Sequence, residues 1–377
     1  MNNLAFFGRS SVAERIIKKY KPKIILDNSL SHNNSYFHNI KVAQPTKKNL
    51  QNISSVIICI SSINEVKSQI KSLNPKLRII IPKELKEFNS IYDIKNYKLE
   101  GYISSGLPSV KKANIVGGIY YIKEELNSLK IKNLYKGSAH GLITKKNFLY
   151  FTCDELGIVK MDKKGKILNT ISLPTNSRPH GFAIDHNHFY VAFSNKDEIL
   201  KIDKNGKIIE NYLISNKIKK SLSAQHHVND LFTDKKNIYV SLFSKTGNWK
   251  RGKLDGAVIK ISKKNKKKKV VLNSLKFPHN VIKYENSILV LDSMNGFIVI
   301  KKKKKIGPFN GFLRGIDFNK KFLFIGESQN RNFHNHKNNS IPKSIDSNIV
   351  IYDKQTGAFR SIRLPNYISE IHAIQIY

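Results

Sequence analysis

Apolar runs in the last three-quarters of this chain come in groups, and one polar residue stands just ahead of each group. The leaders are His140-Gly-Leu, His180-Gly-Phe, Asn229-Asp-Leu, His279-Asn-Val, Arg314-Gly-Ile and His372-Ala-Ile. The runs they open read GLITKK (141–146), GFAIDH (181–186), NDLFTD (229–234), HNVIKY (279–284), RGIDFN (314–319) and HAIQIY (372–377). Second runs follow the first five, among them FLYFTC (148–153), FYVAFS (189–194) and SILVLDS (287–293), and then third runs such as GIVKMD and NIVIYD. β-Branched and aromatic residues dominate these segments, with Lys, Asn and Asp between them, which is strand composition. Turns such as Asp162-Lys-Lys-Gly165 and Asp203-Lys-Asn-Gly206 supply the glycine that a tight hairpin needs.

A four-strand unit recurring every roughly 35 to 60 residues predicts a β-propeller. HAIQIY has no strands behind it, but GYISS (101–105), GGIYYIK (117–123) and KIKNLY (130–135) can serve as its second, third and fourth. Six blades are therefore expected, the sixth assembled from both ends of the domain, so that the ring closes and leaves no sheet edge exposed.

The periodicity changes ahead of residue 100. LAFFG (4–8), SSVAERIIKKY (10–20), KIILDN (23–28), SVIICI (55–60), INEVKSQIKSL (63–73) and RIIIP (78–82) alternate strand with helix. That order predicts a small Rossmann-like α/β domain over 1–82, a linker over 83–100 and the propeller over 101–377. Gly8-Arg-Ser10-Ser-Val-Ala13 occupies the place of a glycine-rich phosphate loop, with Ser10 at its second glycine. Asp27 ends the second strand, where a ribose-binding acid would stand. Gly8, Ser10 and Asp27 are thus the candidate contacts for a nucleotide or nucleotide-sugar.

Composition changes this picture little. The formal net charge is +39, but only nine of the 66 basic residues are Arg. The densest lysine runs, Lys266–Lys269 and Lys301–Lys305, fall at expected hairpin ends and outer strands, where they read as solvated edges. A specific nucleic-acid partner is not expected, although weak salt-sensitive binding to polyanions is. The two cysteines, Cys59 and Cys153, each sit inside an expected strand, which excludes a disulfide framework. With no apolar stretch of spanning length and no signal-peptide pattern, no membrane span and a cytoplasmic location are expected.

In a propeller the polar leaders share one face with the loops that leave the second strands. His140, His180, Asn229, His279, Arg314 and His372 would therefore ring a central site. Asp154, Asn195, Ser244, Asp292 and Glu327 would lie on its rim, with three lengthened loops at 215–227, 244–256 and 328–347. Histidines with carboxylates can move protons, so His227 and His279 are the candidate acid and base, with Asp292 and Glu327 to orient them. Arg314 could hold a carboxylate or phosphate in a two-pronged grip. Glu370 is a third carboxylate that could orient those histidines or polarise a water, and with His372 it is a candidate ligand contact. Trp249, the one tryptophan, stands with Lys250 and Arg251 in a glycine-rich loop suited to a sugar ring or an anion. Four imidazoles, His140, His180, His279 and His372, could instead hold a divalent metal, although Arg314 in the same ring would oppose it.

Two resemblances accompany these patterns. Residues 101–377 resemble an uncharacterised bacterial six-bladed propeller family, a domain of unknown function. The likeness lies in His227-Val-Asn229-Asp-Leu, the Gly247–Arg251 loop, Pro278-His279, Leu291-Asp292-Ser293 with Gly296, Arg314-Gly315 and Glu370-Ile-His372. It implies a propeller with a polar central site and carries no known reaction. The first domain is similar, through Gly8, Ala13 and Asp27-Asn28, to the N-terminal domain of bacterial sugar O-acyltransferases. The expected function is binding or processing of a small anionic or sugar-type ligand, by acid/base elimination, epimerisation or hydrolysis if the site is catalytic. A non-catalytic module for a glycan or protein partner is the competing reading.

Overall fold

In the computed structural model, residues 3–107, 116–125, 128–217, 223–301, 305–330 and 343–377 are described. His334 and His336, in the long loop near the C-terminal end, lie outside them. The chain divides into two compact units, one of Met1–Tyr97 with Asp353–Ala358 and one of Lys98–Tyr352 with Phe359–Tyr377.

The first unit does not have the Rossmann-like α/β fold expected of it. It holds one mixed sheet of six strands in the order β3-β4-β2-β1-β5-β6. The strands are β1 (Leu4–Phe7), β2 (Ile24–Leu26), β3 (Tyr36–Phe37), β4 (Ile40–Ala43), β5 (Ser55–Ile58) and β6 (Arg78–Ile80). β3 and β4 pair antiparallel, the others parallel. Helix α1 (Ser11–Tyr20) links β1 to β2, but the next connection is a single 3-10 turn at Leu30–His32 and a hairpin strand, not a crossover helix. The cause is local: SLSHNNSYFHN has no apolar positions at helical spacing, and Asn34, His38 and Asn39 adopt positive φ. The short helix α2 (Lys47–Leu50) and α3 (Ile63–Leu73) complete the strand connections. The stretch 83–100, read as a linker, contains helix α4 (Lys83–Asn96), whose Leu85 and Ile94 are buried.

The proposed phosphate loop is occupied by the chain's own groups. Ser10 Oγ caps α1, accepting from the amides of Val12 at 3.2 Å and Ala13 at 3.4 Å, and donates to the Cys59 carbonyl. Asp27 accepts from Arg9 Nε at 3.1 Å and from the Ser29 amide at 2.9 Å. Gly8 is required for packing: a Cβ there would lie 2.1 Å from Ile60.

The second unit is a six-bladed β-propeller, with six four-stranded sheets among the described residues. The inner strands of blades 1 to 5 are Ala139–Lys145, Pro179–Asp185, Val228–Thr233, Pro278–Tyr284 and Phe312–Phe318. Blade 6 takes its inner strand, Ala373–Ile376, from the C-terminal end and pairs it antiparallel with Glu100–Ser105. Each blade buries its faces against its neighbours. Tyr190, Tyr212, Ile238 and Leu242 fill one such seam, and Leu291, Leu313, Leu323 and Ile325 another. Burying one such side chain stabilises by about 1.5–3 kcal/mol. Cys59 and Cys153 are buried thiols, and burial pushes the Cys59 thiol up to about 12. No described helix is long and apolar enough to cross a membrane.

Candidate functional site: a histidine cluster on the propeller axis

One backbone device places the polar leaders. In five of the six blades the register between inner and second strand slips at the leader: between Ala139 and Leu142, Pro179 and Phe182, Val228 and Leu231, His279 and Ile282, and Leu313 and Ile316. Such a bulge adds a residue, frees its backbone from the ladder and re-aims its side chain. Hydroxyls on the second strands satisfy the freed groups. Thr152 Oγ1 accepts from the Gly141 amide at 3.1 Å and donates to the His180 carbonyl at 2.7 Å, tying blade 1 to blade 2. Ser104 donates in the same way to the His140 carbonyl.

The result is a buried cluster. His140, His180 and His372 offer ligand nitrogens that all lie within 4.8 Å of one another. Their ring centroids are 4.6 Å apart for His140–His180 and 4.7 Å for His140–His372. His140 Nε2 lies 3.2 Å from Ser138 Oγ and 3.7 Å from Asp154 Oδ2, which leaves Nδ1 turned inward without a partner. His180 Nε2 and Asn229 Oδ1 are also buried and unpartnered. His372 Nε2 lies 3.3 Å from Glu370 Oε2.

Beside this trio sits a charged pair. Arg314 Nη1 meets Glu370 Oε2 at 2.8 Å, and Arg314 Nε donates to His279 Nε2 at 3.0 Å. Since Nε2 of His279 accepts, its proton is on Nδ1, which donates to the Phe277 carbonyl at 2.8 Å, with Ser293 Oγ at the same distance. Burial holds His279 well below the usual imidazole range, and the Arg314 charge adds to it. Burial likewise depresses His180, aided by repulsion from His140. His372 falls to about 3, chiefly through burial, with the Glu370 hydrogen bond opposing and the Arg314 charge reinforcing. All three are neutral imidazoles at neutral pH.

The structure brings three of the four expected metal histidines together and sets His279 apart, its Nε2 taken by Arg314. The carboxylates read as catalytic partners are used by the backbone. Asp292 accepts from the Lys276 amide at 2.7 Å and from Asn295 Nδ2 at 2.9 Å, and burial pushes its carboxyl up. Glu327 accepts from the amides of Asn310 and Gly311, both at 3.0 Å, and from Asn348 Nδ2 at 3.1 Å. In blades 4 and 5 these carboxylates brace the loop that delivers the polar leader. His227 packs against both Phe243 and Trp249, each ring 4.3 Å away and the two 6.3 Å from each other, and Lys250 sits over the indole at 4.6 Å. Trp249 is half-buried there, and Arg251 is exposed.

Below the histidines a second polar layer crosses the axis, which sequence reasoning missed. Asp230 Oδ2 accepts from the Asn280 amide at 2.8 Å, while Asn280 Oδ1 accepts from the Gly315 amide at 2.6 Å and its Nδ2 donates to the His372 carbonyl at 3.0 Å. Burial raises the Asp230 carboxyl. Asn280 holds φ +50°, a conformation Asn tolerates, so the residue after His279 was the available signal. Further along, the inner strands line a cavity of about 260 Å³ that includes Asp230 and Asn280.

Residues 216–377 match a family described as a domain of unknown function, DUF4915. No curated protein matches the chain. Among solved structures, a protein of unknown function from Bacteroides caccae aligns with a TM-score of 0.52 at 15% identity, over 73% of this chain and 98% of that one. A chain of the nidogen/laminin complex aligns with a TM-score of 0.51 at 13% identity, over 74% and 98%. At these identities the likeness is one of fold.

Proposed function

We propose that the propeller binds a small polar ligand, anionic or sugar-like, in the axial cluster of His140, His180, Asn229 and His372. The observation that carries this reading is the set of buried atoms without partners, His140 Nδ1, His180 Nε2 and Asn229 Oδ1, on the inner strands of three consecutive blades. An unsatisfied buried polar group costs about 1–3 kcal/mol, so three in one place are best understood as groups reserved for a guest. The +39 charge of the chain draws anions toward any such opening, and Trp249 with Lys250 on the same blade suits a sugar face. Binding is favoured over acid/base processing because His279, Asp292 and Glu327 already spend their polar atoms on the protein. Isothermal titration with sugar acids and sugar phosphates tests the reading. One site is expected, together with stabilisation of about 2.7 kcal/mol at a hundredfold excess over Kd, and both are lost in His180→Ala. Equal binding by that variant, or no binding by the folded wild type across the panel, overturns it.

A further inference from the structure

We propose that His140, His180 and His372 form a three-histidine centre for a first-row divalent metal ion, with zinc as the working ion. The inference deepens the ligand reading of the same pocket, because a three-coordinate ion leaves a fourth position for a ligand oxygen. Three observations carry it. First, the ligand nitrogens lie within 4.8 Å of one another on three blades. A tetrahedral site with Zn–N bonds of about 2.0–2.1 Å needs them about 3.3 Å apart, a contraction within reach of small side-chain rotations. Second, the inner nitrogens of His140 and His180 are buried and have no partner, as ligand atoms kept for an ion would be. Third, two of the three rings are already braced. Glu370 stands 3.3 Å from His372 Nε2, and Ser138 and Asp154 flank His140 Nε2, the carboxylate–histidine arrangement that orients metal ligands.

The positive charge nearby does not forbid the ion. Arg314 would repel a cation if it stood alone, but its guanidinium is paired with Glu370 at 2.8 Å. The Arg314–Glu370 pair is neutral overall, and His372 Nε2 faces both of its members, Glu370 Oε2 at 3.3 Å and Arg314 Nη1 at 3.5 Å. Imidazoles without thiolates or further carboxylates suit zinc, iron(II), cobalt or nickel, not calcium or magnesium, which take oxygen ligands.

The test uses tag-free, full-length protein, stripped with chelator and titrated with Zn²⁺, then with Co²⁺, whose visible absorption reports its coordination. About one ion per chain is expected, with the Co²⁺ bands of a four- or five-coordinate nitrogen site. His180→Ala should weaken Zn²⁺ binding more than about 100-fold, and Glu370→Gln, which keeps the shape, about 10–100-fold. His186→Ala, exposed in the turn that joins the first two strands of blade 2, should leave it unchanged. A folded wild type that takes up no stoichiometric ion, or a His180→Ala protein that binds zinc as tightly, overturns the metal centre. Sugar acids that bind the stripped protein as well as the loaded one overturn the metal's role and leave the ligand reading standing. An ion bound in full with no ligand uptake sinks the ligand reading alone.

Discussion

Arg314 and Glu370, 56 residues apart in the chain, meet at 2.8 Å with both side chains more than nine-tenths buried. A buried pair of this kind is costly to break from one side, because the survivor keeps its charge without its partner. Glu370→Ala is expected to cost about 3–5 kcal/mol of unfolding free energy, whereas Arg314→Met with Glu370→Leu should cost much less. Urea unfolding of the three proteins checks this. A single variant no worse than the double would show that the charges are not truly desolvated.

Trp249 gives the rim its own optical probe. It is the one tryptophan of the chain and stacks on His227 at 4.3 Å, half-buried. Its emission should lie to the blue of a solvated indole and shift red in His227→Ala. Trp249→Phe should keep most of the stacking, while Trp249→Ala should lose about 0.5–1.5 kcal/mol beyond its buried area. Unchanged emission in His227→Ala would mean that the stack does not persist in solution.

Much of this arrangement was legible in the sequence, for a physical reason. A polar residue before an apolar strand is costly unless the fold gives it an environment, and repetition in six blades marks the place. His140, His180 and His372 therefore stand out in the sequence as members of one ring of polar leaders. His279 was grouped with them because blade spacing alone cannot show that Arg314 takes its Nε2. Asp292 and Glu327 look the same in sequence whether they face a substrate or a loop amide, and here they accept from the amides of Lys276, Asn310 and Gly311. The first unit misled through its alternating pattern: two genuine strand–helix repeats hid a connection at 29–39 with no helical face. The stretch 83–100 reads as a linker because the apolar positions of α4 do not form one clear stripe.

The seam between blades 5 and 6 should respond to acid. Glu124 receives Arg360 in two-pronged fashion, at 2.7 and 2.8 Å, and this pairing holds its carboxyl below the usual range. A carboxyl whose folded pKa is depressed contributes stability in full above its unfolded value of about 4.5, and the contribution is lost as pH falls through the folded pKa. A double-mutant cycle on Glu124→Gln and Arg360→Gln should give a coupling of about 1 kcal/mol at pH 7. The coupling should shrink steadily below pH about 4.5. Coupling that persists at pH 3 would show that the contact is held by packing, not charge.

Gly181 tests whether the bulges set the site. It follows His180, and a Cβ on it would lie 2.5 Å from the Cα of Asp230 on the next inner strand, so main chain would have to move. Gly252 offers the contrast: nothing lies within 4 Å of its Cβ, but its φ is +75°. Gly252→Ala should therefore cost only the conformational strain, about 1 kcal/mol, and leave the axis untouched. Gly181→Ala should cost about 1–3 kcal/mol by overpacking and should also weaken zinc or ligand uptake, because His180 and Asp230 sit on the two strands it forces apart. Denaturation and titration on the same samples separate the outcomes. If Gly181→Ala loses stability and keeps full uptake, the histidine cluster tolerates movement of its strands, and the bulge is a packing feature, not the device that aims His180.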